Sequence, residues 1–360
     1  MNQVKVLKKL KFTSLHLGLI LCFVIISEGN TLAQTNAGTI LPLFQSESII
    51  QLRLQADFNQ VFANSDDETY FPAILSWDDV TNHRTDFEIE IRTRGITRRM
   101  ADICSFTPLR LRFFEDEVLN TIFDGQKAIK LVTHCNKAAV YEQNTIIEYL
   151  IYKVFNLLTD SSFKVRPAMI NYVYADQKND SIQRFAFFIE REKHLAQRLN
   201  GVELDSLKIH PNRLNPFHTC LMDMFQFMIG NTDYSAYEFH NIVLVTDEKK
   251  MLPPIAIPYD FDWCGMVSAY YAKPNSRLKT ETVQERTYRG FKKPIEIINA
   301  NIQLFNSKKK EIYDVFNNFD LLKKSEKKRV INYLDEFYQI INNDKQVKKE
   351  FIENARILHN

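Results

Sequence analysis

Residues 227–245 read FMIGNTDYSAYEFHNIVLV and residues 254–265 read PIAIPYDFDWCG. Together they predict the end of a helix, a loop, and a hairpin with strands over 241–245 and 254–260. Acidic and amide residues stand where those strands begin and end. Asp233 lies in the loop after the helix, Asn241 opens the first strand, and Asp260 and Asp262 close the second. Asp and Asn supply the hard oxygens that magnesium prefers, and a hairpin fixes them on a rigid base. Phosphoryl transfer needs such a set, with one carboxylate near the attacking hydroxyl and others holding metal against nucleotide phosphates. The structural alternatives are turn formation or capping for Asp260 and Asp262, and a packed or hydrogen-bonded ring for His240.

Upstream of this stretch the pattern is strand-like. Residues 49–58 (IIQLRLQADF) and 86–95 (DFEIEIRTRG) alternate apolar and polar, with AILSW at 73–77 between them. PLRLRFF at 108–114 and AIKLVTHC at 128–135 continue the run, predicting an antiparallel sheet of half-buried strands. Residues 143–158 then place Ile146, Leu150, Val154 and Leu157 on one helical face. Two more strands follow at 167–175 and 184–190, the second (RFAFFIE) an aromatic run that reads as core. Helices are expected over 195–199, over 216–229 and from 294 to the end. There KKSEKKR at 323–329 reads as a solvated helical face rather than a nucleic-acid patch. The expected organisation is α+β: a targeting segment over 1–33, a strand-rich part over 34–195 with one embedded helix, and a helix-rich part over 196–360 carrying the acidic hairpin.

The targeting segment is read from Lys5, Lys8, Lys9 and Lys11, an apolar run over 15–26, and small residues at Thr31 and Ala33. This is the order of a secretory signal, and the apolar run is shorter than the ~20 residues that span a bilayer. The protein is therefore expected outside the cytoplasm, periplasmic or extracellular, with no membrane span after cleavage. Of 360 residues, 46 are Lys or Arg and 44 are Asp or Glu. Four of those lysines and only one of the acids precede Gln34, so the remaining chain is nearly neutral, which argues against a duplex nucleic-acid binder. Cys104, Cys135, Cys220 and Cys264 have no zinc-ligand spacing; buried thiols are expected, with Cys104 and Cys135 the pair to check for a disulfide. Adjacent residues on a strand point to opposite faces, so His134 and Cys135 cannot form a dyad. GxSxG, HExxH and P-loop motifs are absent from the sequence.

Asp233, His240-Asn241 and PYDFDWCG resemble the catalytic loop and metal-binding Asp of the atypical kinases related to spore-coat protein H (CotH), which are often exported. RTRG at 92–95, PLRLRF at 108–113 and FFIE at 187–190 are similar to that family's early strands, and the resemblance covers about residues 85–295. It implies a two-lobed protein-kinase-like fold with an antiparallel-sheet first lobe, and an ATP-dependent phosphotransferase using Mg2+ or Mn2+ on a protein or other extracytoplasmic hydroxyl. By position it implies Asp233 as the catalytic Asp, Asn241 and Asp260 as magnesium ligands, and Asp262 as a second candidate ligand. Lys130 in AIKLV would contact the nucleotide phosphates, with Glu148 on the following helix as its ion-pair partner. Arg286 and Arg289, in QERTYRGF, are candidates for an anionic substrate or for structural pairing.

A different class of function is also compatible with these residues: a catalytically inactive cell-envelope binding module in which the acidic hairpin binds a divalent ion or braces the fold. It is favoured by the missing glycine-rich loop and by an Asp233-to-Asn241 spacing longer than that of HRDxxxxN. The two readings differ in geometry. An enzyme requires Asp233, Asn241 and Asp260 to converge across an open cleft facing Lys130, and a brace requires them buried and hydrogen-bonded without one.

Overall fold

The computed structural model describes residues 38–357 except 65, 67, 80, 82, 176–180 and 205–208, so the expected signal segment lies outside the described residues. Strand β1 (Ile50–Ala56) has the burial alternation its sequence predicts, with Leu52, Leu54 and Ala56 inside. A short helix α1 (Phe58–Ala63), capped by the Asp57 carboxylate on the Gln60 amide, was not foreseen from the sequence. Strands β2 (Phe71–Asp78), β3 (Arg84–Thr93), β4 (Leu109–Phe113) and β5 (Ala128–Val132) then follow in antiparallel order, with a one-turn helix α2 (Glu115–Val118) before β5. After helix α3 (Ala139–Leu158) come β6 (Val165–Tyr174) and β7 (Ser181–Ile189), paired antiparallel with each other.

The order around the sheet is β1-β2-β3-β4-β5-β7-β6, and it closes: β6 pairs with β1 in parallel, from Ile50 opposite Ala168 to Ala56 opposite Tyr174. This overturns the expected two-lobed kinase-like fold with an antiparallel-sheet first lobe. The strands form a closed seven-stranded mixed barrel with a helical region beside it. The physical reason is the length of β6 and β1. Each offers a full row of backbone donors and acceptors, and their pairing removes the two edges that an open sheet would expose. The barrel is filled from every strand, by Leu54, Leu75, Phe87, Ile91, Leu111, Leu131, Ile170 and Phe188 among others.

One side of the barrel is also buried from outside. Phe185, Phe187 and Ile189 of β7 and Val165 of β6 join α3 in the larger core. Burial on both faces explains why FAFFI shows no alternation. Beyond β7, α4 (Glu192–Arg198) leads to β8 (Gly201–Leu204), which adds to the hairpin of β9 (Ile242–Asp247) and β10 (Ile255–Pro258) as a three-stranded sheet. Helix α5 (Pro216–Ile229) has the bounds the sequence predicts, because Asn215 caps it, Pro216 opens it and Gly230 ends it at φ 67°. A side chain at Gly230 would strike the Tyr333 hydroxyl. The C-terminal region consists of α6 (Ile295–Ser307), α7 (Lys309–Asn317), α8 (Lys324–Ile341) and α9 (Asp344–Lys348). Among the described residues no helix is long and apolar enough to cross a membrane.

The junction between barrel and helices is fixed by one buried ion pair. Arg198 donates from Nε and Nη2 to Glu190, both bonds 2.9 Å, with each side chain 5% exposed, and also bonds the carbonyls of Asp160 and Ser162. Removing one partner would leave the other's charge buried. Glu190→Ala is therefore expected to lower unfolding free energy by about 3–5 kcal/mol in urea titrations, whereas Glu190→Leu with Arg198→Met should cost much less.

Candidate functional site

The loop after α5 is built by its own side chains. The Asn231 amide packs against the helix end, with its backbone N–H on the Gln226 carbonyl, and its Oδ1 accepts from the Asp233 amide at 2.9 Å. Residues 235–240 then form a small turn closed by reciprocal backbone bonds between Ser235 and His240. That turn accounts for the long spacing, because it returns the chain to Asp233. His240 Nε2 lies 2.8 Å from Asp233 Oδ1, while Asn241 Nδ2 donates to the Asp233 carbonyl at 2.8 Å and to Oδ2 at 3.1 Å.

The pairing of β9 with β10 brings the second half of the motif alongside. Tyr259 donates its backbone N–H to the Asn241 carbonyl at 3.1 Å, and the Asp260 N–H donates to the Tyr152 hydroxyl of α3 at 2.8 Å. Phe261 is buried between Tyr152 and Phe225, and Asp262 Oδ2 accepts from the Tyr271 hydroxyl at 2.7 Å. Phe239, Asn241 and Asp260 all adopt left-handed backbone, at φ 54°, 54° and 63°. Asn and Asp tolerate this region and Phe does not, so strain is concentrated where the acidic groups meet.

These residues line a cleft of about 470 Å3 whose walls include Asp233, His240, Asn241, Asp260, Asp262 and Trp263. The opposite wall is the β3–β4 loop, with Arg94, Gly95, Ile96 and Arg98. Gly95, at φ 87°, makes the bend, and Arg94 N–H bonds the Pro108 carbonyl. Arg98 is buried and donates to the Thr133 carbonyl at 2.6 Å. Burial opposes its charge, but Tyr271, Asp262, Glu148 and Asp260 outweigh that and raise its pKa. A disulfide between Cys104 and Cys135 ties the same loop to the end of β5, while Cys220 and Cys264 are buried thiols. The expectation of thiols throughout thus fails for the pair singled out, because chain packing brings the two together.

The acids work against one another. Burial, then Asp260, pushes the Asp262 carboxyl up to about 7, partly offset by Arg98 and the Tyr271 hydrogen bond. Glu148, 2% exposed, is raised well above the usual carboxylate range by burial and then by Asp262 and Asp260. Among the described residues no three His, Cys, Asp or Glu side chains converge closely enough to hold a metal alone.

Of the residues expected from sequence, Asp233, Asn241, Asp260 and Asp262 come together in the cleft. Lys130 pairs with Glu192, not with Glu148, and its Nζ lies 4.6 Å over the ring of Tyr259, a cleft residue. Glu148 sits behind the cleft near Arg98 and Asp262. Arg286 is committed elsewhere, to Glu336, the Tyr333 carbonyl and the Tyr333 ring. Arg289 donates to the carbonyls of Thr232 and Tyr234 and so braces the Asp233 loop from outside the cleft. Sequence reasoning passed over Arg98, Tyr152 and Tyr271; only the basic run RTRGITRR signalled the first.

Comparison with protein-family models and with curated proteins gives no match.

Beneath the Asp233 loop, the Tyr234 hydroxyl donates to Asp223 Oδ1 at 3.0 Å, and Asp223 Oδ2 is buried without a partner among the described residues. Burial pushes Asp223 up to about 7, although Tyr234, Lys293, Arg356 and Arg289 pull it down. Between about pH 4 and 7 the unfolded chain has lost this proton and the folded protein keeps it, so stability falls by about 1.4 kcal/mol per pH unit as pH rises. Urea midpoints of Asp223→Asn should lack this share of the slope and exceed wild type at pH 8. Replacing Cys104 and Cys135 with serine should cost about 3–4 kcal/mol in the same assay, the entropy of the freed 31-residue separation.

Proposed function

We propose that the cleft binds ATP with Mg2+ or Mn2+ and transfers the terminal phosphoryl group to a hydroxyl on a protein or other acceptor outside the cytoplasm. The observation that carries this is the convergence of Asp233, Asn241 and Asp260 in one open cleft that faces Arg94 and Arg98. The likeness of the motif to the CotH kinases supports it on the level of chemistry alone, since the barrel is not that family's expected sheet.

The donor set fits a hard divalent cation. Asp260 and Asp262 offer carboxylate oxygens in a place where Arg98 and the Tyr271 hydroxyl offset their mutual repulsion only in part. Asn241 has its Nδ2 turned to Asp233, so Oδ1 is the atom suited to ligation. Such an ion ordinarily takes one or two carboxylates and completes its shell with water and substrate phosphate oxygens, so three converging acids are unnecessary. When bound, it would neutralise charge on the phosphates during transfer.

The chain's own residues supply the rest. Arg94 and Arg98 face the phosphates, with Arg98 held in place by Thr133. Asp233, fixed on one side by His240 and on the other by Asn241, orients the acceptor hydroxyl and takes its proton. The acceptor oxygen bonds to the terminal phosphorus as the bond to the bridging oxygen breaks, leaving ADP. Lys130 steadies this region through Glu192 and Tyr259 rather than reaching into the cleft.

Thermal shifts with ATP and Mg2+ or Mn2+ test the reading, because a ligand that binds only the folded state must stabilise it. Wild type should show a metal-dependent shift that Asp260→Asn abolishes without loss of stability in the absence of ligand, since one of several repelling charges is gone. Asp233→Asn should keep the shift but lose about 100-fold or more in transfer rate. No metal-dependent shift in wild type would sink the proposal; a shift without transfer to any acceptor would favour the inactive binding module.

A further inference from the structure

A second cavity, of about 240 Å3, opens at the barrel rim where α1, the turn at Ser105 and Phe106, the chain after β5 and the facing ends of β6 and β7 meet. None of its lining residues belongs to the acidic cleft. Phe62, Phe106, Tyr174 and Ile182 give it apolar walls, and His134 and Lys137 give it polar ones. The His134 ring is stacked on Phe106, centroids 4.3 Å apart, and Phe106 meets Phe62 edge-on at 4.7 Å.

The polar atoms around this cavity are unusual. His134 is fully buried, yet neither Nδ1 nor Nε2 has a hydrogen-bond partner among the described residues. The hydroxyls of Tyr172, whose ring is 5.7 Å from His134, and of Thr107 are also without a partner among the described residues, but they lie behind the cavity and do not line it. An orphaned polar ring in a core is costly, and His134 lines a cavity in a barrel rim, a common place for small-molecule sites. Burial, with Arg184 and Arg98, pushes the His134 pKa down to about 3, so the ring is neutral and offers one donor and one acceptor. One cationic residue, Lys137, lines the cavity, and its carbonyl accepts from Arg184 at 2.6 Å.

We propose that this cavity binds a small single-ring aromatic acid, with its ring beside Phe62 and Phe106, a polar substituent on His134 and its carboxylate toward Lys137. The size fits: an apolar cavity of roughly 150 Å3 takes a benzene ring, so the space here holds one ring with substituents. The site is independent of the nucleotide reading of the cleft.

The test is a titration of the full chain, labelled at histidine, with 4-hydroxybenzoate, benzoate and benzyl alcohol, followed by NMR and thermal shift. Saturable movement of the His134 ring signals is expected, tightest for 4-hydroxybenzoate and weakest for the uncharged alcohol. Lys137→Ala should weaken the acids about threefold to fivefold, as for an exposed charge pair. His134→Phe keeps the stacking and should remove binding. Ile182→Trp, which fills the cavity from its rim, should do so with His134 intact, so a misfolded His134 variant does not decide the matter. Unchanged His134 signals with all three probes, or binding that persists in Ile182→Trp, overturns the proposal. Binding in Asp260→Asn should equal wild type, which separates this outcome from failure of the cleft reading.

Discussion

Helix α3 is held with twelve of its twenty residues buried, and the largest core of the molecule is built around it. On one side Tyr149 and Tyr152 pack against Phe185 and Phe187 of the barrel; on another Phe155 packs on Phe225 of α5. Gln143 reaches the C-terminal helices, donating to the Leu321 carbonyl and accepting from the Lys323 amide. A helix in that position cannot shift without opening the main core. Its residues Glu148 and Tyr152, one turn apart on the same face, are thereby fixed against the acidic hairpin. The Tyr152 hydroxyl holds the Asp260 amide, and the Glu148 carboxyl lies where Arg98, Asp260 and Asp262 all act on it.

This rigidity is what allows an unfavourable site to persist. A left-handed Phe239, a run of mutually repelling carboxyls and a deeply placed guanidinium are each destabilising alone. They are held from three directions: by α3 through Tyr152, by the disulfide-tied loop through Arg98, and by Arg289 through the carbonyls that flank Asp233. Strain and like charge gathered at one cleft and braced from outside it are what single this cleft out as the candidate functional site. The barrel contributes the stiff wall from which the Arg98 loop projects.

Much of this was legible in order and little of it in pairing. Helix α5 was readable to its last residue, because Asn215, Pro216 and Gly230 are local stop and start signals. The strands were readable from their two-residue period, and the cluster of Asp233, Asn241, Asp260 and Asp262 from their position at strand ends. Helix α1 and strand β8 were not, since six and four residues carry too little periodicity to stand out. The partner that the resemblance implied for Lys130, Glu148, is not the one it has: β5 runs beside β7, and the start of α4 just after β7 delivers Glu192 instead.

The sequence by itself determined the type and extent of most elements and the acidic motif, because capping, periodicity and turn chemistry act over a few residues. Only the tertiary structure decided that β1 and β6 pair and close a barrel, that Cys104 and Cys135 bond, and that Arg98 rather than Lys130 faces the acids. Each joins segments far apart along the chain. Alternation marks which face of a strand is buried but not which edge it meets, and a buried charge chooses its partner by packing rather than by spacing.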